Sequence, residues 1–327
     1  MMYFHPSHIL FFSSLVLAII MGLSSNSLFI MWLSMEATLL SFIPLTLKKN
    51  KYSTESSIKY FLIQSLASIL FIMGSILTPL SYLISPFLLK FSLLMKMGAA
   101  PTHQWMPPVA EGMSWTSFYL LVTSQKIIPL TMYMFITKYQ YLYSMSLTFI
   151  IMSALIGSLM GLNQTSLQKI LVYSSISHMS WLLTATLMNN FIWIMYFLLY
   201  SFVLMSVIIP FHFNSIFSIN QMISKNKNHL GFFNSLALLS LGGMPPFTGF
   251  IPKLIMTTEL TKMSYSFLLF PLLTSTFISL FFYIRMVLLS ILSSLTTTYS
   301  ENIKHSLTLT SIINLTGLLA PSILLLT

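Results

Sequence analysis

Five ionisable side chains lie deep within long apolar stretches of this sequence, namely Glu36, Lys96, Lys126, His178 and Lys253. At the centre of a bilayer each of these groups costs a few kcal/mol unless water or an oppositely charged partner reaches it. Carboxylates, amines and imidazoles that are kept at membrane depth despite this cost are typical of proton relays. The five residues therefore predict a pathway for protons through a membrane-embedded protein.

The most unusual of the five is Glu36, because the whole chain contains only five acidic residues and this one stands within the apolar segment MWLSMEATLLSF. A buried lysine is its expected partner, and pairing with Lys96 would keep both groups charged. A proton that arrived near such a pair would weaken it and alter the affinity of the lysine for its own proton. Lysine suits this task because it can release a proton when water is excluded, whereas arginine stays charged.

Less specific roles remain open for several basic residues. A lysine or arginine near the end of a span can extend its charged head to the membrane surface, and we expect this of Lys90 and Arg285. His178 is either a hydrogen-bonded packing residue or a proton relay, and His103 is ambiguous. A haem held by His178 and His212 is disfavoured, because these residues fall on separate spans at different depths.

The composition places these residues in a polytopic membrane protein. Of 327 residues, 56% are hydrophobic and only 6% are charged, against about 25% charged in soluble domains. The absence of cysteine excludes disulfides, thiolate zinc sites and iron-sulfur clusters. Neither a phosphate-binding loop nor an H-E-x-x-H pair is present, so nucleotide and metalloprotease chemistry have no support, and no metal site is predicted.

Apolar length and helix-breaking residues predict an all-α transmembrane bundle of about eleven helices within one integral membrane domain, residues 1–327. The expected spans are about 8–24, 26–47, 56–78, 80–106, 113–137, 143–162, 166–188, 190–212, 231–257, 265–293 and 305–326. Because residues 1–8 carry no lysine or arginine, the first span is expected to be retained rather than cleaved as a leader.

Lysine placement predicts the orientation of these spans. Alternate threading puts most loop lysines on the side of the N-terminus: Lys48, Lys49, Lys51, Lys59, Lys169, Lys225, Lys227 and Lys304. Only Lys138 and Lys262 fall opposite, so the N-terminus should face the compartment of synthesis and the C-terminus the other side. These scattered charges explain the net charge of +10 better than nucleic-acid binding does.

Two of the predicted spans contain helix breakers in their interior. The fourth includes LLMKMGAAPTHQWMPP (Leu93–Pro108) and the ninth includes LGGMPPFTGFIPK (Leu241–Lys253). Proline and glycine free backbone groups that lipid cannot satisfy, so such breaks should line a polar cavity or protein. Because the two spans are five apart, they predict two inverted five-helix repeats, about 8–137 and 143–293, each with a discontinuous helix, followed by an extra helix at about 305–326.

Several blocks of this sequence, taken together, resemble the chain 2 family of mitochondrial NADH:ubiquinone oxidoreductase, respiratory complex I. The blocks are MEATLLSFIPL, KYFLIQSLAS, LLMKMGAAPTHQWMP, TSQKIIPL, GLNQTSLQKILVYSSISHMSW and LGGMPPFTGFIPK. The resemblance covers about residues 9–290 and implies an antiporter-like, proton-pumping subunit of the mitochondrial inner membrane, with its N-terminus on the matrix side and its C-terminus on the intermembrane-space side. Its implied partners are the other membrane-arm subunits and the lipid bilayer, including cardiolipin. NADH, FMN, iron-sulfur clusters and ubiquinone would be bound by those other subunits, and no cofactor by this chain.

The same resemblance implies roles for the buried charges. Glu36 and Lys96 are similar to the family's coupling ion pair, Lys126 to its central lysine, and Lys253 to the lysine at the second broken helix on the exit side. His178 falls in a matching block as a relay. This chain departs from the family pattern at Thr102-His103-Gln104, where relatives favour aromatic residues.

Two other functions would use the same architecture. A self-contained cation/proton antiporter would place a sodium-coordinating acid at a break, and the nearest acids to the two breaks are the distant Glu111 and Glu259. A scaffold that only anchors other subunits would keep its central charges dry.

Overall fold

The computed structural model describes residues 6–48, 50–81, 83–137, 143–188, 190–225, 229–263 and 265–295. These ranges are almost entirely helical, and their only β-pairing is an isolated bridge between Ser166 and Ser218. The all-α class predicted from the sequence is confirmed. The eleventh predicted span, 305–326, lies outside the described residues.

Fourteen α-helices make up the described chain, and two short 3-10 turns accompany them at Thr102–Trp105 and Ser266–Leu268. The helices are α1 (Pro6–Ser24), α2 (Leu28–Thr46), α3 (Lys51–Ile76), α4 (Ile84–Met97), α5 (Met106–Glu111), α6 (Trp115–Val122), α7 (Ser124–Ile136), α8 (Tyr143–Leu162), α9 (Leu167–Met188), α10 (Asn190–Phe213), α11 (Ile219–Lys225), α12 (His229–Gly242), α13 (Phe250–Lys262) and α14 (Leu269–Leu295).

Eight runs within the described ranges are long and apolar enough to cross a bilayer, with α6 and α7 counted as one run. The fourth and ninth predicted spans are broken, as expected. The fourth is divided into α4, a 3-10 turn and α5, and the ninth into α12 and α13. The fifth contains an interruption that the sequence did not predict, at Thr123, whose hydroxyl donates to the Tyr119 carbonyl.

Contacts between Cα atoms divide the chain into two compact units, residues 1–149 and 150–327. In the first unit α1 packs on α2, α2 on α3, α3 on α4, and α4 on α7. Large side chains that these contacts bury include Phe42, Tyr60, Phe71, Trp115 and Tyr133. The ion pair predicted from the sequence has one member on α2 and the other on α4.

In the second unit α9 is the most enclosed helix. It packs against α10, α13 and α14, and 89% of its 18-residue apolar window is buried. Its serines are accommodated because their hydroxyls donate to carbonyls three residues earlier, as Ser177 does to Ser174 at 2.7 Å.

Candidate functional site

The first helix break is built on a glycine. After the end of α4, Gly98 has a left-handed φ of +69°, and a Cβ there would lie 2.6 Å from the Met106 sulfur. The Gly98 N–H donates to the Met95 carbonyl and the Ala99 N–H to the Leu94 carbonyl, each at 3.1 Å. These two bonds form a Schellman motif, which ends a helix cleanly.

Lys96 lies in the last turn of α4, immediately before this motif. Its Nζ is 3.3 Å from Oε1 of Glu36, and the two side chains are 4% and 25% exposed. The pairing expected from the sequence is therefore present as a salt bridge. Lys96 also belongs to the last turn of a helix, where the helix dipole favours positive charge, so Lys96 has two sources of stabilisation.

Neutral donors hold the carbonyls at the end of α4. Nε2 of Gln64 donates to the carbonyl oxygen of Lys96 at 3.3 Å, and the indole N–H of Trp105 donates to that of Met95 at 3.2 Å. Carbonyls in the last turn of a helix need partners of this kind when water is excluded. Sequence reasoning missed both residues, although a break inside a span does imply that donors must lie nearby.

Lys126 is buried in the first unit on α7, with 1% of its surface exposed. Within the described part of the chain its Nζ makes no hydrogen bond to a protein atom. It is not bonded to Glu36 or Lys96, so the structure does not join it directly to the ion pair. An amine in this setting depends on the electric field of its surroundings to keep its charge.

The expectation that Lys90 extends to the membrane surface is wrong. Lys90 is 1% exposed, and its Nζ lies 5.4 Å from the centre of the Tyr133 ring. The reason is the direction of the side chain, which is on the face of α4 that packs against α7 rather than on a lipid-facing side. Arg285 instead reaches the end of α8, where it donates to the carbonyls of Leu162 and Gln164 at 2.9 and 3.1 Å.

The second break repeats the helix ending of the first. Gly243, with a φ of +80°, donates to the Ser240 carbonyl at 3.0 Å, and Met244 donates to the Leu239 carbonyl at 3.3 Å. Lys253 approaches this ending from the first turn of α13 and is buried. Its side chain therefore lies at the carboxyl end of α12.

Nζ of Lys253 donates to the carbonyl oxygen of Gly242 at 2.7 Å. A buried lysine is thus found at the carboxyl end of the first half-helix in both breaks. Lys96 belongs to the helix that ends, whereas Lys253 comes from the helix that follows. The sequence predicted the placement of Lys253 beside a break but not the residue that it contacts.

His178 is buried on α9, with its Nδ1 2.9 Å from the Tyr196 hydroxyl and its ring 4.8 Å from that of Tyr200. A narrow cleft adjoins the imidazole. The cleft is lined by His178, Tyr196, Leu199, Tyr200, Val203, Ser240, Leu241, Gly249 and Pro252. His178 therefore shares a cleft with residues of the second break. One of them, Pro252, immediately precedes Lys253 in the sequence.

The remaining histidine of interest, His103, is buried in the loop of the first break. Its Nδ1 lies 3.2 Å from the Pro101 carbonyl oxygen. Over the residues that the structure describes, no three or more histidine or acidic side chains come together as metal ligands.

Comparison with known proteins assigns these broken helices and buried amines to one class of membrane protein. A family model described as NADH:quinone oxidoreductase/Mrp antiporter, transmembrane, matches residues 25–79 and 77–279. Among solved structures, respiratory complex I from Thermus thermophilus contains a chain that matches with a TM-score of 0.81 at 20% identity, over 97% of this chain and 79% of that one. At this identity the match shows the fold alone.

Two curated relatives are much closer in sequence. NADH-ubiquinone oxidoreductase chain 2 of Anopheles gambiae is 40% identical, over 86% of this chain and 84% of the relative. The chain of the same name from Locusta migratoria is 35% identical, over 98% of both. The chain belongs to the NADH-ubiquinone oxidoreductase chain 2 family. It is a multi-pass membrane protein.

Proposed function

We propose that this chain is the proton-translocating chain 2 subunit of respiratory complex I, in the mitochondrial inner membrane. The observation that carries the proposal is the Glu36–Lys96 salt bridge at the end of a broken helix. A buried ion pair adds little to stability compared with well-packed apolar side chains. Its presence at membrane depth is better explained by a change of charge during turnover.

The Glu36–Lys96 pair acts as the input of the pathway. When Glu36 gains a proton, Lys96 loses the Coulombic attraction of the carboxylate. The charge on Lys96 is then stabilised only by the dipole at the helix terminus. The resulting change in the local field alters the stability of the charge on Lys126, which has no bonded counter-ion in the described chain. Quinone reduction in other subunits supplies the free energy for these changes.

His178 and Lys253 form the output side. The imidazole adjoins the cleft that borders the second break. The hydrogen bond to the Gly242 carbonyl stabilises the charged form of Lys253 until the lysine releases a proton. Protons load from the matrix and leave to the intermembrane space. Moving one charge against the membrane potential costs about 2.3 kcal/mol per 100 mV. The loading and release pathways must therefore not be open at the same time, because protons would leak back.

The finer features of the proposal rest on the sequence. We propose that the chain carries no redox centre: it has no cysteine to hold an iron-sulfur cluster, and NADH, FMN, iron-sulfur clusters and ubiquinone would belong to other subunits. Its partners are the other membrane-arm subunits and the bilayer, including cardiolipin. The lysine asymmetry supports an N-terminus on the matrix side and a C-terminus on the intermembrane-space side.

We also propose the division into inverted repeats, about 8–137 and 143–293, within a single membrane domain. The support is that each of the two compact units contains one span that is broken at a left-handed glycine. In both breaks the first half-helix ends in a Schellman motif with a left-handed glycine, Gly98 or Gly243. A buried lysine is found at that helix end in each case.

The test is to measure protons moved per NADH oxidised by complex I in proteoliposomes. Lys96→Ala or Glu36→Gln should suppress proton pumping while the complex still assembles. The matched control is Glu55→Gln, which removes the exposed Lys59–Glu55 pair of α3 and should leave pumping unchanged, because exposed pairs contribute little. Normal pumping by assembled Lys96→Ala and Glu36→Gln complexes would refute the function.

A further inference from the structure

Two neutral polar residues lie one turn apart on α3 and contact the two parts of the input pathway. The hydroxyl of Tyr60 donates to Oε1 of Gln125 at 3.1 Å. Gln64, four residues later and on the same helix face, donates to the Lys96 carbonyl at 3.3 Å. This face of α3 therefore contacts both the end of α4 and the start of α7.

The ring of Tyr60 is held firmly between aromatic neighbours. Its centre lies 5.1 Å from that of Phe42, in an edge-on arrangement, and 5.9 Å from that of Trp105. Trp105 also donates to a carbonyl in the last turn of α4. With 1% of Tyr60 exposed, the packing leaves its hydroxyl little freedom except to rotate about the C–O bond.

Tyr60 is exposed to the electric field of the ion pair. Its hydroxyl is buried in the same compact unit as Glu36, and where water is excluded the charge of a carboxylate is only weakly screened. Phe42, the ring against which Tyr60 packs, is on the same helix as Glu36. A change in the protonation of Glu36 is therefore felt at the hydroxyl that contacts Gln125.

Gln125 connects this hydroxyl to the central lysine. It immediately precedes Lys126 in α7, and within the described chain neither its Nε2 nor the Lys126 Nζ has a hydrogen-bond partner. The Tyr60 bond thus holds the amide by its oxygen. A hydroxyl can both donate and accept, so reversal of the hydroxyl would release the amide beside Lys126.

We propose that Tyr60 is a positioning residue that couples the Glu36–Lys96 pair to Lys126 through its hydrogen bond to Gln125. The inference rests on the proposed function and adds the connection between its first two charged sites. In the structure the Tyr60 hydroxyl donates to Gln125. Protonation of Glu36 changes the electric field at this hydroxyl, and a turn of the hydroxyl would change the hydrogen bonding of the amide next to Lys126.

The test uses Tyr60→Phe in the whole complex, because this change removes the hydroxyl and keeps the ring that packs on Phe42 and Trp105. Tyr52→Phe is the matched control, since Tyr52 is on the same helix and is 80% exposed. Protons moved per NADH oxidised should fall in Tyr60→Phe, because the hydrogen bond that links the ion pair to the residue beside Lys126 is lost, and should not change in Tyr52→Phe. The rate of NADH oxidation with an uncoupler should stay normal in both, which a general structural defect would not allow.

A second variant, Gln125→Leu, removes the acceptor and serves if Tyr60→Phe assembles poorly. If the hydrogen bond carries the coupling, Gln125→Leu and the double variant should lower the proton ratio to the same value as Tyr60→Phe, because the changes share one interaction. Additive losses in the double variant, or a normal ratio in both single variants while Lys96→Ala abolishes pumping, would overturn the inference and leave the proposed function intact. Normal pumping in Lys96→Ala as well would refute the proposed function itself.

Discussion

Lys253 and Gly242 are joined by a 2.7 Å hydrogen bond from the lysine ammonium to the glycine carbonyl. The bond connects the first turn of α13 to the last residue of α12 across the second break. Gly243 makes it possible, because a Cβ at that position would lie only 2.7 Å from Nζ of Lys253 and 2.9 Å from its Cδ. The position of the buried charge therefore depends on a residue that has no side chain.

Gly243→Ala should impair pumping almost as severely as Lys253→Ala. The left-handed φ of +80° costs a residue with a Cβ about 1–2 kcal/mol, and the methyl group displaces the ammonium. Protons moved per NADH oxidised would measure the effect. Gly161→Ala is the control, because Gly161 has no left-handed φ and the three atoms nearest to a Cβ there all belong to the Phe282 ring, at 3.0 Å and beyond. Equal ratios in Gly243→Ala and Gly161→Ala complexes would contradict the prediction.

Gly98→Ala should disturb the first break through the same backbone strain. The substitution also forces Met106 to move, since its sulfur would lie only 2.6 Å from the added methyl group. We expect reduced pumping with a smaller loss of NADH oxidation under uncoupled conditions. A thermal inactivation curve of the complex gives the stability cost, and an unchanged curve together with normal pumping would show that the glycine is not required.

Tyr196→Phe should weaken proton transfer on the output side. The change removes the hydroxyl that lies 2.9 Å from Nδ1 of His178 and leaves a buried ring nitrogen without that partner, at a cost of about 1–3 kcal/mol. The coupled rate of NADH oxidation should fall more than the uncoupled rate. If His178 has only a packing role, the two rates will fall together or not at all.

Replacement of Lys90 separates charge from volume. Lys90→Met removes a buried ammonium and retains most of the side-chain volume, so it should destabilise the complex less than truncation of the side chain does. Lys90→Ala leaves a cavity beside Tyr133 and should be destabilising by about 2 kcal/mol or more. Thermal inactivation of the two variants provides the comparison, and equal losses would mean that the charge itself stabilises the packing of α4 on α7.

Glu36, Lys96 and the two breaks could be found from the sequence because each is conspicuous there. A charged residue inside an apolar run, or glycine beside proline within a span, stands out without knowledge of the fold. The pairing of Glu36 with Lys96 followed, since few acids were available to meet a buried amine. Their role in pumping stays a prediction.

The contacts that the sequence did not reveal depend on how each helix is rotated about its axis. Tyr60 and Gln125 are 65 residues apart, and nothing in the sequence around either residue indicates that they meet. The incorrect prediction that Lys90 reaches the membrane surface has the same origin, because the sequence does not show which side of α4 faces α7. Likewise, the bond from Lys253 to Gly242 depends on the path of the turn between α12 and α13.

The unequal enclosure of the helices bears on how the sequence can change over evolutionary time. Only 17% of the apolar window of α1 is buried within the chain, against 89% of that of α9. Exchange of one aliphatic residue for another on α1 mostly changes side chains that are exposed on the surface of this chain. On α9 the same exchange changes side chains that are packed on every side. Species variants should therefore accumulate freely along α1 and sparingly along α9, including at positions that carry no charge.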